Sequence, residues 1–65
     1  DTLADALPRE MARVRDLLPM YDAIPTGVLA ATMMQLALDR AAQASAEGDV
    51  VAMMASLQDL REYSA

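Results

Sequence analysis

Cysteine, histidine, tryptophan, phenylalanine and lysine are all absent from this 65-residue chain, and two tyrosines are its only aromatics. Without Cys or His there is no zinc finger, no haem ligand, and no thiol or imidazole catalyst. Without Lys there is no Schiff base, and the serines and threonines have no base to activate them. Positive charge is scarce too: five arginines face ten acids, giving a formal charge of -5 and a pI near 4.2. That balance is the reverse of a nucleic-acid-binding surface. The longest apolar stretch is interrupted by Gln35, Asp39 and Arg40, well short of the roughly 20 residues that span a membrane. The first residues are acidic and carry no basic leader, so no secretory signal is expected. The chain starts at Asp1 and not at Met, and so reads as the ordered part of something slightly longer. Lack of cysteine fits a cytoplasmic location. No enzyme, cofactor or metal site is expected.

What is present is aliphatic and adaptable. The hydrophobic fraction is 55%, against a usual 45–50% or so. One domain is the most that the length allows, and a domain of this size buries only about 60% of its unfolded surface. Small domains offset that thin margin with disulfides, a metal or a partner. Composition excludes the first two, which leaves a partner, and symmetric dimers are the commonest assemblies.

The spacing predicts an all-α chain: a short first helix, then an antiparallel helical hairpin, assembled as a homodimeric bundle. The first helix is expected over about 6–18, with Asp5 as N-cap and Pro8 in its first turn. Leu7, Met11, Val14, Leu18 and Tyr21 recur at four- and three-residue steps and paint one stripe. Pro19 should end or kink that helix, leaving residues 21–24 as an irregular turn. Ile24-Pro25-Thr26-Gly27 is the clearest break, and a second helix should occupy about 26–47. Gly48 stands where a left-handed C-cap belongs, and Asp49 is a ready N-cap for a third helix over about 50–63. Val50, Met53, Met54, Leu57 and Leu60 should share one face of helix three, with Asp59 and Glu62 opposite. The tight 47–49 link turns helices two and three antiparallel.

Helix two is apolar over most of its circumference. Gln35, Asp39, Gln43 and Glu47 form one narrow polar strip. Ala30, Met34, Ala37, Leu38 and Ala41 occupy the back, and Leu29, Met33 and Leu36 flank the strip. A helix of this kind is buried on more than one side. Helix three is too short to cover it alone, so helix one or a second copy of helix two must cover the rest. The flank Leu29, Met33, Leu36 and Arg40, joined by Tyr21, is the expected interface.

Other residues carry a functional and a plain reading side by side. Six methionines, with pairs at 33–34 and 53–54, suit either core-and-dimer packing or a surface that accepts varied partners. Neighbouring positions point about 100° apart, so one Met of each pair can face the core and the other an interface. Tyr21 and Tyr63 suit an interface rim or the edge of a core. Arg9, Arg13 and Arg15 could meet an acidic partner or phosphate, but the Asp5–Arg9 and Arg13–Asp16 spacings favour ion pairs on a solvated face. Ala44, Gly48 and Met54 fall at spacings resembling a DNA-binding helix turn. The following helix, however, carries Asp49, Asp59 and Glu62 against Arg61, which repels phosphate. Asp59 and Glu62 have no third ligand and read as surface charges.

Three strings, Met20-Tyr21-Asp22-Ala23-Ile24-Pro25-Thr26-Gly27, then Met33-Met34, then Glu47-Gly48-Asp49-Val50-Val51-Ala52-Met53, resemble small proteins of Mu-like phages and related mobile elements, over roughly residues 9–63. They are helix boundaries and hold no catalytic signature. The use of arginine to the exclusion of lysine suits a GC-rich bacterial genome and its phages. The resemblance implies a cytoplasmic accessory protein made in a bacterial host; some such proteins bind and inhibit host regulators. No binding residue is carried over. The expected function is therefore a dimeric, non-enzymatic modulator of a bacterial host protein, with neither nucleic acid nor membrane as partner. The alternative is an antitoxin-like or small transcriptional regulatory factor linked to DNA.

Overall fold

The computed structural model of the chain describes residues 2–64, and within them it is all-helical. Helix α1 spans Leu3–Asp22, a 3₁₀ turn spans Pro25–Gly27, α2 spans Val28–Glu47 and α3 spans Val50–Arg61. The molecule measures 36 × 20 × 15 Å, and its long dimension is close to the roughly 30 Å of a 20-residue helix.

The first helix is longer than its prolines predict. It runs 20 residues, not about 6–18, and its N-cap is Thr2 rather than Asp5. The Thr2 hydroxyl accepts from the Asp5 backbone N–H at 3.3 Å and donates to the Asp5 carboxylate at 2.9 Å. Asp5 thus completes the cap from inside the first turn, where its charge also suits the helix dipole. Pro8 and Pro19 both lie within the helix. Each deprives the carbonyl four residues back of a partner, Ala4 and Arg15 respectively. All four of these residues are exposed, so water can take up what the prolines leave unpaired. On the opposite side Leu7, Val14 and Leu17 are buried. Packing on that side holds the helix through two residues that would end it in isolation.

The break falls where it was expected, with one turn of different character. Ile24 is extended at φ -107° and ψ 123°, as the residue before a proline should be. Pro25–Gly27 then forms a 3₁₀ turn, so α2 begins at Val28 and not at 26. A Cβ at Gly27 would overlap the carbonyl oxygen of Tyr21. Only glycine lets the turn tuck so closely beneath the end of α1.

Residues 48 and 49 act as the sequence predicts. Gly48 has φ 68°, and Asp49 N–H and Gly48 N–H donate to Ala44 and Ser45 carbonyls, closing the helix end with a Schellman pair. The Asp49 carboxylate then accepts from Ala52 N–H at 3.1 Å and starts α3. That helix ends at Arg61, two residues before the expected 63.

The core lies among the three helices: Leu7, Val14 and Leu17 from α1, Met34, Ala37, Leu38 and Ala41 from α2, Leu57 and Leu60 from α3. Ala44 and Ser56 are also buried. Alanine along the inner side of α2 leaves no bulk to hold the helices apart. The back of α2 is therefore covered within one chain, by α1 together with α3.

Candidate interaction surface

What the core does not cover is the flank of α2. Leu29, Met33 and Leu36 are 72%, 52% and 48% exposed. With Arg40 they stand at steps of four, three and four, which is one continuous ridge on a helix. The adjoining polar strip is internally satisfied: Gln35 donates to Asp39 at 3.0 Å and Gln43 to Glu47 at 3.1 Å. Arg40 lies 3.8 Å from Asp59 of α3, an ion pair with both side chains open to water and hence of small energetic weight. The ridge thus presents apolar side chains to solvent and ends in a guanidinium.

The two tyrosines are core edges. Tyr21 is half-buried against the core and its hydroxyl donates to the Ser64 carbonyl. Its backbone carbonyl lies against Gly27, one residue before α2 begins, so Tyr21 stands at the foot of the ridge while its ring packs on the core edge. Tyr63 is the aromatic within electrostatic reach of Arg40. Its phenol is pushed above the usual tyrosine value, by desolvation first and by the Asp59 and Glu62 carboxylates next, with Arg40 opposing.

Two further readings change. Asp59 is half-buried and turned toward α2, not set on the open face opposite the apolar one. Arg13 pairs with Glu10 at 2.8 Å and not with Asp16. Its other nitrogens donate to the Leu60 carbonyl at 2.9 Å and the Tyr63 carbonyl at 2.7 Å. Those carbonyls lie in and just beyond the last turn of α3, and the Leu60 carbonyl also accepts from the Tyr63 backbone N–H at 3.2 Å. A side chain 47 and 50 residues away in sequence caps that helix end, and no local pattern could have announced it.

The methionine pairs divide between interior and surface. Met34 is buried and Met33 exposed; Met53 packs on the core and Met54 is exposed. On α3, Val50 also stays outside, so the expected single face of Val50, Met53, Met54, Leu57 and Leu60 is split in two. Val50 and Met54 instead line a groove of about 410 Å³ with Leu3 and Ala6 of α1. At the other end of the molecule Met20, Ile24 and Val28, around the α1–α2 connection, are exposed beside the start of the ridge.

Among the described residues no group of acids is placed to hold a metal ion, and no helix is long and apolar enough to cross a membrane. Comparison with known protein families, with curated proteins and with solved structures finds no match.

Proposed function

We propose that this chain is a non-enzymatic protein–protein interaction module that works as a homodimer. In this reading α2 and α3 form an antiparallel hairpin braced by α1, and two copies join along the α2 flank. The module is a phage- or mobile-element-encoded modulator that binds and inhibits a bacterial host protein, such as a regulator, in the cytoplasm. The host assignment rests on the resemblance of residues 20–27, 33–34 and 47–53 to small phage proteins.

The observation that carries the dimer is the ridge Leu29-Met33-Leu36, each residue about half exposed or more. A symmetric pairing covers the ridge twice with one seam. Sedimentation at micromolar concentration should show a dimer; a folded monomer would overturn the reading. Leu36→Glu, at a position half open to water in the single chain, should release monomers that keep their helix content. An unchanged mass would show that the seam lies elsewhere.

A further inference from the structure

Six methionines stand in a chain that has no cysteine, histidine or tryptophan. With no thiol to compete, the thioether sulfurs are where a two-electron oxidant such as a peroxide reacts first. The fold divides the six sharply. Met20, Met33 and Met54 are 52%, 52% and 57% exposed, whereas Met34 is 1% exposed, and Met11 and Met53 pack on the core. An oxidant has to reach the sulfur, so Met33 is open to attack while its chain neighbour Met34 is shielded.

Met33 differs from the other two exposed methionines in its setting. It is the middle residue of the apolar ridge Leu29-Met33-Leu36, and in the paired chain it lies at the centre of the seam, where water is excluded. Leucine and methionine are close in volume and interchange readily in packed sites. A leucine at 33 would therefore fill the seam as well. What methionine adds is a sulfur that turns from apolar to polar when it gains an oxygen.

We propose that Met33 is an oxidation site through which peroxide controls the assembly of this chain: its sulfoxide separates the two copies, and reduction lets them pair again. The thioether sulfur attacks one oxygen of hydrogen peroxide, the O–O bond breaks and an S–O bond forms. The displaced hydroxide takes the remaining hydroxyl proton and leaves as water. Sulfur is oxidised by two electrons and the peroxide is reduced. The single chain, whose ridge is open, is the form that reacts. A symmetric seam would then hold two sulfoxide oxygens deprived of water, so the dimer dissociation constant should rise at least about tenfold. The proposal rests on the reading of the chain as a dimer along the α2 ridge and supplies its regulation.

The test treats the whole chain with dilute hydrogen peroxide, locates the added oxygens by fragment-ion mass spectrometry, and follows mass by sedimentation and helix content by circular dichroism. Met33 and Met54 should be converted while Met34 is spared, and the treated chain should sediment as a monomer with its helices intact. Treatment with methionine sulfoxide reductases for both sulfoxide epimers should restore the dimer. Met33→Leu should stay dimeric in peroxide, whereas Met54→Leu should dissociate as the natural chain does. A chain with Met33 fully converted that remains a dimer would overturn the proposal, as would Met33→Leu dissociating as readily as the natural chain, or Met34 reacting as fast as Met33. An untreated chain that is already a monomer would end the dimer and its control together. A dimer whose mass ignores peroxide would end the control alone.

Discussion

Arg13 does more than any other single side chain to join distant parts of the molecule. From the middle of α1 it reaches two carbonyls at the end of α3 while Glu10 holds its Nε. Helix ends present carbonyls without donors, and a guanidinium supplies several donors in one plane. Arg13→Ala should lower unfolding free energy in urea by about 1–2 kcal/mol, the lower part of the range for hydrogen bonds to charged groups because the site is partly open to water. It should also speed hydrogen exchange at the Tyr63 amide, which donates to the Leu60 carbonyl. Lysine at the same place should recover only part of the loss, since it lacks the planar fork. Stability and exchange unchanged in Arg13→Ala would remove the cap from the account.

Among the elements, α1 is where local rule and tertiary packing conflict most openly. Pro19 lies within a helix that continues to Asp22, although an interior proline weakens a helix by about 3 kcal/mol in isolation. Its exposed position means that the ring contributes little to packing. Pro19→Ala should therefore raise unfolding free energy by roughly 1–2 kcal/mol, after allowing for the freer unfolded chain. A melting temperature that fell on this change would show that the proline has a packing or turn-setting part. The other boundaries follow local chemistry closely. Pro25 sets Ile24 extended, Gly48 takes the left-handed cap and Asp49 opens α3.

For the molecule as a whole the amount of surface is ordinary and its make-up is not. The accessible area of 4242 Å² is close to the roughly 4,000 Å² typical of a folded chain of this mass, so the helices are about as compact as their number allows. Yet nine large apolar side chains are exposed, and the chain carries a charge of -5. In the proposed dimer, two such copies repel one another through water while their ridges attract. Screening should weaken only the first effect, because the screening distance shrinks from about 30 Å at 0.01 M salt to about 10 Å at 0.1 M. Dimerisation followed by sedimentation should accordingly tighten as sodium chloride rises over that range. Tightening would separate this reading from one in which the chain binds DNA, where affinity weakens with salt. A dimer that loosened as salt rose would mean that charge pairs, not apolar ridges, hold the seam.

Much of the helix pattern was readable one residue at a time, because caps, prolines and glycine act within a few positions of themselves. Leu29, Met33 and Leu36 were likewise readable as a flank from period alone, and the structure leaves them exposed. The misreadings share a cause. The length of α1 depended on whether the carbonyls orphaned by Pro8 and Pro19 face water or a neighbour. Arg13 went to the end of α3 by contacts across 47 and 50 residues. Val50 and Met54 belong by period with the core residues of α3, but Leu3 and Ala6 of α1 meet them at a groove outside that core. Composition and local stereochemistry were enough to make this chain helical and to punctuate it at 24–27 and 48–49. Which apolar side chains are shielded, and which stay at the surface, was settled by how three helices pack, since burial depends on neighbours brought together from far along the chain.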